Sequence, residues 1–227
     1  MSRDLIAAWL RLAAARVHER RTWLTELDAA IGDGDHGINL DRGFGLVVER
    51  LEAGATAGSD GAALLEAAGR TILGTVGGAS GALYGRALSR AGGSLAEVAA
   101  LPQSRAPCGP ARAALEAAAG SVAALGRSSA GDKTMLDALL PAVAALRDAE
   151  RLEAPLAEGL RAAAAAAEAG ARATIPLLAR RGRASYLGER SIGHLDPGAA
   201  STALLLDALA DVVARDEASE GGSLTTP

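Results

Sequence analysis

Residues 3–39 read RDLIAAWLRLAAARVHERRTWLTELDAAIGDGDHGIN, and their spacing decides the fold. Leu5, Trp9 and Leu12 recur one helical turn apart, and Leu24 and Leu27 resume that side after a charged interval. This period predicts a long first helix over residues 3–27. Gly32, Gly34 and Gly37 then interrupt any regular element. The rest of the chain repeats the alternation of apolar helical stretch and glycine-rich break. Helices are expected over 39–53, over 61–74 behind an Asp60 N-cap, and from Gly81 to about residue 91. Ser94 and Glu97 have the spacing of a capping box for a further short helix. Pro110 suits the first turn of a helix ending at Leu125. Leu136, Leu139, Leu140, Val143 and Leu146 share a face of a helix starting at Thr134. A long alanine-rich helix is expected over 155–180, kinked or broken at Pro176. Residues 181–198 read as a long loop, and Leu205, Leu209 and Val212 belong to a last helix.

Composition agrees. Of 227 residues 49% are hydrophobic but only 2% aromatic. A core made of Ala, Leu and Val lets helices approach closely, and sparse β-branched residues disfavour strands. Trp9 and Trp23 read as packing residues. The expectation is an all-α, single-domain antiparallel barrel or bundle of about eight helices over residues 1–215, with a disordered tail over 216–227. The net charge of −4 and the lack of a basic stripe argue against nucleic-acid binding. Cys108 is the one cysteine, so no disulfide can form within the chain. No segment reads as long and uncharged enough to span a bilayer. A soluble cytoplasmic helical protein is the expectation.

The sharpest chemical feature lies where the first helix ends. Asp28, Asp33 and Asp35 fall within eight residues of one another. Taken singly, an Asp-Gly pair is a common turn former. Taken together, three carboxylates repel one another and call for a hard cation, Mg²⁺ or Ca²⁺. Gly34 between the two loop aspartates lets the backbone turn both side chains inward. The bidentate Glu of an EF-hand loop is missing. His36 next to the cluster reads as a phosphate contact rather than a phosphorylated nucleophile, and His18 as solvated. A second feature is Ser80 in a glycine-rich turn before a helix, where free N–H groups favour phosphate. A third, GRSSAGDKT over 126–134, nearly spells a P-loop. Asp132 interrupts it and a helix precedes it, so that reading fails. A fourth is the Arg- and Gly-rich stretch 180–198, long enough to be either a mobile surface loop or a functional one.

The segments IGDGDHGINLDRGF (31–44), TVGGASG (75–81), GDKTM (131–135) and RRGRASYLGERSIGHLDPGA (180–199) together resemble the DhaL family, the ADP-binding subunits of phosphotransferase-dependent dihydroxyacetone kinases. The resemblance runs over about residues 5–213. It implies a helical barrel with the nucleotide at one end. It also implies two Mg²⁺ on Asp28, Asp33 and Asp35, and ADP or ATP contacts from His36, Gly37, Ile38, Asn39, Ala79 and Ser80. Gly126, Met135, Arg183, Asp196, Pro197, Gly198, Ala199 and Ala200 would complete the nucleotide site, with Arg183 stabilising phosphate. A phosphotransferase-system phosphocarrier would phosphorylate the bound ADP in place. The ATP formed would phosphorylate dihydroxyacetone on a separate substrate subunit. Two other roles come with the resemblance: a subunit of an ATP-dependent kinase for dihydroxyacetone or another short keto-sugar, and a regulatory ADP-binding module acting on a transcription regulator. Gly34 stands where some relatives have Ala, and Leu40 where Met is common.

Overall fold

The computed structural model describes residues 1–101 and 106–222. It has eight α-helices, α1 (Arg3–Ile31), α2 (His36–Glu52), α3 (Gly61–Thr75), α4 (Gly78–Ala99), α5 (Gly109–Gly126), α6 (Leu136–Arg151), α7 (Leu156–Ala173) and α8 (Pro197–Gly222), with a 3-10 segment, Arg183–Ser191, before α8. No strand occurs among the described residues. Each helix packs on the next, and α8 returns to α1. The result is a closed antiparallel ring.

The ring closes on specific contacts. Trp9 Nε1 donates to the Leu205 carbonyl at 2.9 Å, tying α1 to α8. Arg16 pairs with Asp207 and Asp211, and Arg161 with Asp211, joining α1, α8 and α7 along one surface seam. On α7, Ala163, Ala167 and Ala171 are buried along one stripe. Their small side chains allow close helix contact, as the alanine runs imply. With few aromatic side chains to fill it, the ring keeps an apolar hollow of about 110 Å³, lined among others by Ile6, Trp9, Leu88 and Leu206.

Several element limits depart from the sequence expectation. α1 runs four residues further, to Ile31, because Ile31 is itself buried. α2 starts three residues earlier, at His36. α4 is uninterrupted to Ala99, so the Ser94–Glu97 capping signal falls inside a helix. Leu95 is buried there, and packing against α3 and α5 on both sides outweighs the local preference. α7 ends at Ala173 rather than 180, because the ring of Pro176 disfavours helix in the turn before it. Part of the expected loop 181–198 is 3-10 helix. α8 extends to Gly222, past the Asp216 at which a disordered tail is expected; residues 223–227 lie outside the described residues. By length and composition α8 would also pass as a membrane span, contrary to expectation. However, 61% of its apolar window is buried inside the ring. Trp23 is half-exposed with Arg20 over its ring, and so contributes less packing than Trp9.

Candidate functional site

One end of the ring carries a cleft of about 270 Å³. Its acidic wall comes from the α1–α2 junction. The last turn of α1 carries Asp28, and the short linker carries Asp33 and Asp35. One carboxylate oxygen from each lies within 4.8 Å of the others. Gly34 has φ +73°, the left-handed turn that brings Asp33 and Asp35 to the same side. Asp28 Oδ2 accepts from the backbone N–H of Asp35 at 2.9 Å and of His36 at 3.2 Å. These amides open α2, so Asp28 caps that helix from the preceding one and leaves Oδ1 for another partner. An all-oxygen donor set of this kind fits a hard divalent cation.

The facing walls are the starts of α4 and α8. Gly78, Ala79 and Ser80 line the cleft in the first turn of α4, where amides lack helical partners. Gly81 is required there, because a Cβ would lie 1.9 Å from the Val76 carbonyl oxygen. Asp196 opens α8 as its cap, its Oδ2 accepting from Ala199 N–H at 2.7 Å. Burial pushes its carboxyl up to about 7, against the pull of that hydrogen bond. Pro197 and Gly198 line the cleft beside it, and Gly126 and Met135 close it from α5 and the start of α6.

His36 sits where α2, α4 and α8 meet, 5% exposed. Its Nδ1 lies 2.9 Å from Ser80 Oγ and its Nε2 2.8 Å from Ser201 Oγ. Burial depresses its pKa to about 4, so the ring is neutral at physiological pH. Tyr84 OH extends the network to Ser201 Oγ (2.7 Å) and Thr202 Oγ1 (3.0 Å), and burial raises its pKa to about 12.

The arginine-rich segment forms the mouth. Arg183 Nη2 reaches Asp33 Oδ2 at 3.1 Å, and Arg181 and Gly182 line the rim. The base of this segment is fastened by Lys133, 1% exposed, whose Nζ donates to the carbonyls of Thr174 (2.7 Å) and His194. Asp196 N–H donates to Thr174 Oγ1 at 3.0 Å, and Gly193 N–H to the Ile175 carbonyl at 2.8 Å.

The structure thus gathers Asp28, Asp33, Asp35, His36, Ala79, Ser80, Gly126, Met135, Arg183, Asp196, Pro197 and Gly198 around one cleft. Five expected contacts are not on its walls. Ile38 is 53% exposed, Gly37 and Asn39 are buried further along α2, and Ala199 and Ala200 lie inside the first turn of α8. The near P-loop takes a different part from the one its letters suggest: Lys133 lines the cleft but donates its Nζ protons to backbone carbonyls, and Asp137 accepts from Gly131 and Thr134 N–H. Sequence reasoning missed Tyr84, Ser201, Thr202 and Lys133. Tyr84 is one of two tyrosines and Lys133 the one lysine of the chain, so both were usable signals; Ser201 and Thr202 were not.

A closed ring of antiparallel helices with carboxylates, three helix starts and arginines at one end defines a class of helical protein whose end cleft could hold a cation beside anion-binding helix starts. The DAK2 domain family matches residues 30–211, and the chain belongs to it. It is 41% identical over 210 residues to the ADP-binding subunit DhaL of the PEP-dependent dihydroxyacetone kinase of Escherichia coli K12, covering 92% of this chain and 97% of that one. It is 37% identical to an L-erythrulose kinase of Pectobacterium atrosepticum, covering 97% of this chain and 36% of that protein. The crystal structure of the dihydroxyacetone kinase from C. freundii in complex with AMP-PNP and Mg²⁺ superposes with a TM-score of 0.68 at 26% identity, over 93% of this chain; the chain spans about a third of that protein's length (34%).

Proposed function

We propose that this chain is the nucleotide-carrying subunit of a dihydroxyacetone kinase, in which bound ADP is phosphorylated in place by a phosphocarrier and the ATP formed phosphorylates dihydroxyacetone on a separate subunit. The observation that carries the reading is the convergence of three carboxylates within 4.8 Å on the starts of α2, α4 and α8. Asp28, Asp33 and Asp35 are the residues that would hold Mg²⁺, two ions in all. When bound, Mg²⁺ neutralises charge on the phosphoryl oxygens and the nucleotide supplies the group transferred.

The chain's own residues bind and orient. Free amides in the first turn of α4 receive phosphate oxygens. Asp28 fixes the α2 start and keeps one oxygen for the cation. Arg183 is paired with Asp33 across the mouth, but its side chain is 64% exposed and such a pair holds weakly. It can therefore exchange Asp33 for a phosphate when a cation takes the carboxylate. Phosphoryl transfer asks mainly for this positioning and charge neutralisation, so the subunit needs no nucleophile of its own. The work is cytoplasmic, and the partners are a dihydroxyacetone-binding subunit, a phosphotransferase-system phosphocarrier and, in the regulatory role, a transcription regulator.

Mass spectrometry of the purified, denatured protein tests the reading. ADP should be released in near-equimolar amount, and EDTA should lower the melting temperature of the native protein by removing a ligand of the folded state. A nucleotide-free protein that also fails to take up ADP with Mg²⁺ would refute it.

A further inference from the structure

Buried polar side chains in folded proteins nearly always have a hydrogen-bond partner. Ten are buried among the described residues, and nine of them are paired, from His36 on Ser80 and Ser201 to Thr202 on the Gly198 carbonyl. Ser128 is the exception. It is 8% exposed and lines the cleft, and its Oγ meets no donor or acceptor among the described residues. The backbone puts it there. Arg127 ends α5 in the left-handed region (φ 49°, ψ 42°), and Ser128 N–H then donates to the Ala123 carbonyl at 3.2 Å. That reversal folds Ser128 back over the last turn of α5, where a Cβ on Gly126 would lie 3.1 Å from its Oγ. The glycine leaves the hydroxyl uncovered. The turn that follows is braced by Asp132, which accepts from Ser129 N–H at 2.9 Å, and by Asp137, which accepts from Thr134 N–H at 2.8 Å. The hydroxyl is therefore placed by backbone alone and is free to pair with a group in the cleft.

Each helix packs on the next round the ring, so the α5–α6 junction stands across from the α1–α2 junction that carries the three aspartates. On this far wall the cleft is lined by Leu83, Val122, Gly126 and Met135, and Leu83 Cδ2 lies 3.7 Å from the Gly126 Cβ position. Thr134 also lines the cleft, but its Oγ1 is engaged by Leu136 N–H at 3.3 Å. Apolar walls suit the faces of a flat ring, whose polar edge still needs a partner. A serine hydroxyl both donates and accepts, so it can meet either kind of group on such an edge. We infer, on the nucleotide reading above, that Ser128 is a specificity-determining residue: its hydroxyl makes one hydrogen bond to the edge of the base of a nucleoside diphosphate, while the acidic trio and the start of α4 serve the phosphates. Ser128 thereby favours a nucleotide over a sugar diphosphate that lacks a base.

Ser128→Ala removes only the hydroxyl. Calorimetric titration with ADP at saturating Mg²⁺, on protein stripped of nucleotide, should show an affinity about fivefold lower, the equivalent of one neutral hydrogen bond. Ribose 5-diphosphate has the sugar and phosphates of ADP without a base. Measured by competition with ADP, it should bind wild type and variant alike. The melting temperature of the nucleotide-free chain should not change, since no hydrogen bond within the protein is lost. Undiminished ADP affinity in the variant would overturn the inference, because the hydroxyl would then meet solvent only. An equal loss for ADP and ribose 5-diphosphate would place Ser128 on the sugar or the phosphates and overturn it too. So would a lowered melting temperature without nucleotide, which would make the hydroxyl a structural group. Those three results leave the nucleotide reading standing. A wild-type chain that binds neither ligand with Mg²⁺ would refute that reading, and the inference with it.

Discussion

Lys133→Met removes the ammonium that fastens the arginine-rich segment while keeping most of the stem that packs around it. In the native chain Nζ donates to Thr174 O at 2.7 Å and to His194 O, with Ile175 O a marginal partner at 3.5 Å. Two hydrogen bonds from a charged donor contribute roughly 1.5–3 kcal/mol each. Against that stands the cost of burying the charge, which also holds the Lys133 pKa below its ordinary value. Removing the donor leaves two inward carbonyls without it and recovers part of the desolvation cost, a net loss of about 2–4 kcal/mol. Urea denaturation should show a lowered midpoint at unchanged slope. Hydrogen exchange at the amides of Gly193 and Asp196, which donate to Ile175 O and Thr174 Oγ1, should accelerate more than exchange in the middle of α1. A variant within about 0.5 kcal/mol of wild type, the scatter of ordinary surface changes, with those amides equally protected would refute the view that Lys133 holds the segment.

Asp196→Asn keeps a cap oxygen for Ala199 but cannot ionise. In the folded chain the carboxyl titrates near 7 instead of 3.8, so the native state binds the extra proton between those values and native stability falls as pH rises through that window. The variant escapes this fall, and its stability relative to wild type should increase from pH 4 to pH 7 by up to about 4 kcal/mol; a pH-independent difference in urea midpoints would contradict it. Gly81→Ala would place a Cβ 1.9 Å from the Val76 carbonyl oxygen, and the start of α4 must move. A loss of about 2–3 kcal/mol is expected in the same denaturation assay, and a neutral result would show that the turn has room. Arg183→Ala breaks an exposed ion pair, so melting should change by less than about 1 kcal/mol equivalent. Phosphoryl transfer measured with the substrate subunit should nevertheless fall on the order of 10²-fold; unaltered transfer would remove Arg183 from the chemistry.

Much of the fold was legible because it is written locally. The 3.6-residue period of Leu5, Trp9 and Leu12, the Asp60 cap and Pro110 in a first turn each place a helix without reference to the rest of the chain. The acidic trio was legible for the same reason, since eight residues contain it. What escaped is set by contacts between distant segments. Tyr84 meets Ser201 across 117 positions, and His36 meets Ser201 across 165. Nothing in the neighbourhood of a lone serine in an alanine-rich helix marks it as a partner. The continuity of α4 through Ser94 and Glu97 is also a tertiary result, because helices packed on both sides outweigh a capping preference of about 1 kcal/mol. The burial of Lys133 depends on carbonyls 41 and 61 positions away.

The most direct measurement is diffraction at the manganese edge from crystals grown with ADP and Mn²⁺ in place of Mg²⁺. Anomalous density among the carboxylates of Asp28, Asp33 and Asp35, with diphosphate density between it and the first turn of α4, is the expected result. Well-ordered crystals with nucleotide and metal at saturating concentration, yet no anomalous signal in that turn, would contradict the account.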